Sequence, residues 1–361
     1  MIKPFKEYLA EAIGDGPRIP HPEDAILSGS DAAKDAALAL EEIINNPESG
    51  TIKWDGGIAL YFGRNPNGSF FMTDKYMPAK GVYPTSPQGW VDYDQARGAN
   101  RNDLYEKIEN IWPGLEKNVG NTTGVFKGDL MAFDRSGLKT VNGNYVFRPT
   151  TVTYTIPTNS ELGNLLNGKI ALIVVHEYDG QPWDGSSGLT NRSNVAVVNP
   201  NVNNKFSLNN RQALLALVRS AIATITARGK ASDEFLAGLD NVARGKIGQY
   251  LNQLRTKQTA DSLEDWLAKN ANRKQYTNLV GDGTNGYLMQ KREGLEALYE
   301  VWNSLFKAKT AIVNAFESQV QGFKQETSAG PGGEGIVFPT SRGLMKLINP
   351  NFGIAHFSKE R

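Results

Sequence analysis

Apolar positions in residues 30–46, SDAAKDAALALEEIINN, recur every three or four places, which predicts an amphipathic helix that Ser30 or Asp31 would cap. The opening MIKPFKEYLAEAIGDG places Ile2, Phe5, Leu9 and Ile13 at the same spacing, with a Gly/Pro break over residues 14–22. From Thr51 the period shortens. IALYFGR, GSFFMTDKY, GVFKGDLMAF, NYVFRPTTVTYTI and KIALIVVHEY are short, β-branched and aromatic segments, separated by turn pairs such as Asn67-Gly68 and Asn142-Gly143. They predict an antiparallel-rich sheet region with a short helix over residues 102–112. Helical spacing returns from about Phe206 to Gly322, in RQALLALVRSAIATI, LEDWLAKN and LEALYEVWNSLFKAKTAIVNAF. After SAGPGGEG the strand texture resumes in GIVFP and LMKLI. The order implies an α+β chain: a helical segment (1–50), a first core part (51–204), a helical insertion (205–330) and a second core part (331–361).

Composition narrows the chemistry. The 361 residues are 40% hydrophobic, so a sizeable core can form, and 39 Lys and Arg stand against 38 acids, so no whole-molecule field marks a histone-like or membrane-surface protein. Cysteine is absent, which excludes disulfides, thiolate metal sites and cysteine nucleophiles. His21, His176 and His356 are scattered without metal-binding spacing. The longest apolar run, residues 170–175, is far short of a membrane span, and the N-terminus lacks an export signal's apolar stretch; the expected setting is intracellular. Charge is uneven along the chain. Residues 1–204 carry 18 Lys and Arg against 24 acids, whereas residues 205–330 carry 17 against 12.

Chemistry-bearing residues appear in TIKWDGGIALYFGR, where Lys53, Asp55 and Gly56 put an amine, a carboxylate and an approachable backbone at a strand end. Residues 330–335 satisfy GxGxxG, but a helix precedes and a strand follows, the reverse of a dinucleotide fingerprint. No GxxxxGK[ST] phosphate loop occurs.

After Lys53 come SFFMTDKYMPAKG with Lys75, GVFKGDLMAF with Asp129, KIALIVVHEY with Tyr178, EGIVFP with Glu334 and LMKLINP with Lys346. In this order they resemble motifs I, Ia, III, IIIa, IV and V of the covalent nucleotidyltransferase superfamily of ATP-dependent DNA ligases, RNA ligases and mRNA capping enzymes. The opening MIKPFKEYLAEA also looks like the N-termini of proteins from large tailed phages, which would place the chain in the cytoplasm of an infected host.

The resemblance implies the ligase adenylation fold, interrupted by the helical insertion and without a C-terminal OB-fold. It implies ATP and Mg²⁺ (or Mn²⁺) as cofactors, Lys53 as the nucleophile that takes up AMP, and Lys346 as a second catalytic lysine that also touches the nucleotide. Asp55, Gly56, Arg64, Lys75 and Tyr178 would surround the nucleotide, with Tyr178 or His176 against the base. Asp129 and Glu334 would serve the metal or the ribose hydroxyls. Three departures from the family pattern stand out: Ile58 five residues after the lysine in place of arginine, a single lysine in motif V, and aspartate rather than glutamate at position 129. The implied activity is a polynucleotide ligase sealing 5′-phosphate to 3′-hydroxyl ends, RNA favoured slightly over DNA. Its alternative is a catalytically reduced phage protein with a binding or structural role. Without an OB domain the strand would be gripped by the basic insertion, where Arg244, Lys246, Arg255, Lys257, Lys269, Arg273 and Lys274 fall within thirty-one residues; otherwise that bundle would serve a protein partner.

Overall fold

The computed structural model describes residues 21–186, 188–202, 204–281 and 286–358. The expectations for residues 1–20 lie outside this range. The described chain is α+β, with three mostly antiparallel sheets, and divides into two compact units. Among the described residues no helix is long and apolar enough to cross a membrane.

One unit holds residues 54–204 and 321–326. Its main sheet runs in the order Val195–Val198, Ala171–Tyr178, Gly124–Phe133, Ile58–Arg64, Phe70–Asp74, and only the first pair is parallel. Alternation along these strands sends Leu60, Phe62, Met72 and Phe126 to one face, where Trp90, Ile108, Ile111, Trp112 and Leu115 from the helices Pro87–Ala96 and Asn102–Val119 close a core. The second helix runs seven residues past its predicted end because Pro113 is accommodated inside it. The opposite sheet face carries Tyr61, Phe71 and Val125, then Lys127 and Asp129. A second sheet sets Thr153–Pro157 between Asn144–Phe147 and residues 324–326, with Thr140–Val141 outermost. The two-residue Asn142-Gly143 loop has φ of 51° and 74°, the left-handed pair a tight hairpin requires.

Among the described residues, the other unit holds 21–53, 205–281, 286–320 and 327–358. The helices Arg292–Glu317 and Ser30–Asn45 pack on a three-stranded sheet ordered Thr51–Lys53, Gly335–Thr340, Gly343–Ile348, and the long helix Arg211–Ala237 packs on those two helices. This differs from the division the sequence texture predicts. The strands after residue 331 and the strand at Thr51 group with the helical segment, because their apolar face (Ile52, Ile336, Phe338, Leu347) is fully buried and needs helical cover. Phe338 packs on Phe316 of the last long helix, ring centroids 4.8 Å apart. Neither Ser30 nor Asp31 caps its helix by its own side chain; Gly29 is the N-cap and the Asp233 carboxylate accepts the Ser30 N–H at 2.8 Å.

Candidate functional site

In the helical unit, antiparallel pairing fixes one row as Lys53 opposite Gly335 opposite Ile348, and another as Thr51 opposite Val337 opposite Lys346. Directly opposed residues share a face and alternate ones return to it, so Lys53 and Lys346 lie on the same side of the sheet, away from Ile52, Ile336 and Leu347. Glu334, just before the strand, reaches Lys53: Nζ to Oε1 is 2.6 Å, with side chains 35% and 15% exposed. The glycines around it are dictated by crowding. Gly335 has φ of +144°, and a Cβ there would lie 2.1 Å from the Leu347 carbonyl oxygen. The Gly333 N–H donates to Glu317, which also accepts from the Asn349 side chain. Burial pushes the Glu317 carboxyl up to about 7.

Lys346 also acts on its neighbours. His21 is driven down to about 3, by burial first, then by Arg255 and, more weakly, by Lys346. Beside it Glu23 is fully buried between Lys309 (2.7 Å) and Arg255 (2.8 Å). Burial alone would raise the Glu23 carboxyl, yet these two cations hold it down at about 2.

In the sheet unit, Asp129 and Lys127 share a face of Gly124–Phe133. Gly56 lies against that face: a Cβ on it would come 2.3 Å from the Asp129 Cβ, so the glycine of K-W-D-G is required for the aspartate to sit there. Asp129 Oδ2 is 2.8 Å from His176 Nε2, and Lys127 Nζ is 3.0 Å from Glu177 Oε1. Two consecutive residues of one strand serve the same side because the register slips between Lys127 and Gly128, leaving His176 as a bulge. Burial works to lower the Lys127 ammonium's pKa, but Glu177 and Tyr61 outweigh it and hold it above the ordinary value.

The remaining predicted residues make the following contacts. Asp55 is buried, its Oδ2 accepting the backbone N–H groups of Thr151 (2.5 Å) and Val152 (2.8 Å), while its own N–H donates to the Tyr154 hydroxyl. It fixes the backbone after Trp54, whose indole stacks on Tyr154 and Phe323. Arg64 pairs with Gly124, five positions along from the Ala59 that faces Asp129, and donates to the Gly68 and Gly120 carbonyls. At about 3.4 Å per residue that is roughly 17 Å along the strand. Tyr178 stacks on the core residue Phe126 at 4.5 Å and donates to the Thr123 carbonyl, which places it with the core cluster rather than on the Asp129 face. Lys75 is exposed, 4.9 Å from the Tyr76 ring centre.

The seven basic residues of the insertion do not form one free face. Arg255 is held by Glu23 and Asp24 with its side chain 11% exposed. Lys269 pairs with Asp261 at 2.7 Å, Arg244 donates to the Leu236 carbonyl, and Lys246 donates to Asn270 and lies over Trp266. Lys257, Arg273 and Lys274 are exposed. Sequence reasoning missed Lys127, Glu177 and Tyr61; the lysine two places before Asp129 on one strand was the available signal.

An α+β protein with a lysine–glutamate pair on one small sheet and an aspartate–histidine pair on another is the class that fold and side chains define. Residues 18–361 match a family model described as a family of unknown function, DUF6267, and the chain belongs to that family. No curated protein and no solved structure matches it.

Proposed function

We propose that the protein is a covalent nucleotidyltransferase with the adenylation-domain fold, acting as an ATP-dependent polynucleotide ligase with RNA favoured over DNA. The observation that carries the reading is the Lys53–Glu334 pair at 2.6 Å: residues 281 positions apart in sequence, read as motifs I and IV, meet by strand register, with Lys346 of motif V on the same sheet face. Support also comes from Gly56, which the Asp129 side chain requires as glycine.

Lys53 Nζ, once its ammonium has passed a proton to solvent, attacks the α-phosphorus; the nitrogen–phosphorus bond forms, the bond to the β-phosphate bridging oxygen breaks, pyrophosphate leaves with that electron pair, and a second proton passes from the nitrogen to solvent. Glu334 holds Nζ in place before attack. Lys346 offsets charge on the phosphate oxygens. Among the described residues no three metal-ligating side chains gather; Asp129 in the sheet unit and, separately, Glu334 in the helical unit would each offer a single hard carboxylate, and Mg²⁺ would suit such a ligand. A bound metal would supply charge neutralisation at the phosphates, and His176 would hold Asp129 in place for it.

The test is incubation with α-labelled ATP and Mg²⁺ followed by denaturing electrophoresis. Label should remain on the wild-type chain through an acid-labile bond and be lost in Lys53→Ala; Glu334→Ala should reduce it about 100-fold. Absence of label from nucleotide-free wild-type protein would favour a binding protein that does not turn over.

A further inference from the structure

In the sheet unit an open cavity of about 650 Å³ lies between the start of the helix Asn102–Val119, the end of the strand Gly124–Phe133 and the hairpin around Asn142-Gly143. Its volume is that of a small-ligand site. Four cations line it, Arg101, Lys107, Lys139 and Arg148, against the single lining carboxylate of Asp134. Arg101 is anchored by two hydrogen bonds to Asp94, so its guanidinium is already oriented. Lys139 is 3.4 Å from Asp134. Lys107 and Arg148 have no carboxylate within ion-pair distance among the described residues, and Arg148 is exposed. Between the cations the wall is apolar: Phe147 lies there, and Val141 and Val146 are 59% and 46% exposed.

Cations around an apolar, partly aromatic wall suit a ligand that is anionic at one end and flat and apolar at the other. A nucleoside phosphate has that chemistry: charge-assisted hydrogen bonds to phosphate and stacking for the base. The cavity also adjoins the sequence read as chemically active. Gly57, next to the Gly56 that packs on Asp129, lines it, and its N–H bonds the carbonyl of Leu130, the residue after Asp129. We propose that this cavity binds the 5′-phosphorylated terminal nucleotide of a polynucleotide strand, Lys107 and Arg148 taking the phosphate. The choice of a strand end over other phosphorylated ligands rests on the ligase reading. It assigns the second substrate a place in the sheet unit instead of the helical insertion.

The experiment measures fluorescence anisotropy of a labelled twelve-nucleotide single-stranded RNA bearing either a 5′-phosphate or a 5′-hydroxyl, without ATP. Wild-type protein should prefer the phosphorylated strand by about tenfold or more. Lys107→Gln/Arg148→Gln should abolish that preference, and Lys53 should still take up AMP label. AMP should compete at least tenfold more weakly than the phosphorylated strand. A preference that survives the double substitution, or is absent from wild type, overturns the assignment. AMP competing equally well would make the cavity a mononucleotide site and overturn the strand end. Phosphate preference without labelling at Lys53 would sink the ligase reading while leaving the cavity a phosphorylated-end site; labelling without preference would sink the cavity alone.

Discussion

Two glycines carry more of the candidate chemistry than their size suggests. At Gly56 and Gly335 an added methyl group would stand 2.3 Å from the Asp129 Cβ and 2.1 Å from the Leu347 carbonyl oxygen. Neither neighbour is the far end of a flexible side chain. Gly56→Ala should displace Asp129 and lower nucleotide labelling about 100-fold, with the Lys53–Glu334 pair untouched. Gly335→Ala adds an unfavourable φ, so it should lose labelling and also melt lower, by an amount equivalent to about 2 kcal/mol or more. Labelling and thermal melting of the two variants, side by side, check both; normal labelling in Gly56→Ala would show that Asp129 has no part in the transfer.

Elements were legible where their signal is local. The helix Ser30–Asn45, the long helices Arg211–Ala237 and Arg292–Glu317, and the hairpins at Asn67-Gly68 and Asn142-Gly143 all follow from spacing and turn residues. Lys53 and Glu334 were nameable from motif order, though their contact depends on a register that no local pattern encodes. The bulge at His176, the Asp233 cap and the buried Glu23 were illegible because each is created by a residue distant in sequence. Glu23 shows what such a contact is worth. It joins the turn Pro22–Ser28 to the helices Asn241–Arg255 and Arg292–Glu317 through Arg255 and Lys309. Lys309→Met should cost about 3 kcal/mol in urea unfolding, because it strips one cation from a fully buried carboxylate. The double variant Glu23→Gln/Lys309→Met should recover much of the loss; equal losses in both would mean that the packing, and not the charge, matters.

At the scale of the molecule, the buried His21, Glu317 and Glu23 contribute opposing slopes to how stability responds to pH. The depressed His21 makes the unfolded chain bind the extra proton between about 3 and 6.5, so its contribution is lost as pH falls through that window. Glu317, raised to about 7, does the reverse: the folded state binds the extra proton, and stability declines as pH rises from about 4.5 to 7. The two slopes oppose each other between about 4.5 and 6.5. Below 4.5 protonation of Glu23 adds to the His21 loss. Wild-type protein should therefore show a nearly flat unfolding free energy from pH 4.5 to 6.5 and a steep fall below it. Glu317→Gln should instead gain about 2 kcal/mol of stability on going from pH 4.5 to 6.5, at roughly 1.4 kcal/mol per pH unit for one proton. Denaturant titrations across that range decide it, and a flat profile in the variant would show that His21 does not titrate as its burial implies.

The strand Thr51–Lys53 is paired by Gly335–Thr340, and this pairing sets a timetable during translation. Some 280 residues must be synthesised after Lys53 before its partner exists, and at about 5–20 residues per second that takes roughly 15–55 s. Throughout that interval the ribosome holds a chain with the lysine already made and its glutamate still missing. Residues 54–204 can organise most of their sheet in the meantime, since they wait only for residues 321–326. Under the proposed function, a nascent or prematurely terminated chain would thus carry Lys53 without the carboxylate that pairs with it, and the proposed reaction with nucleotide would become possible only near the end of synthesis.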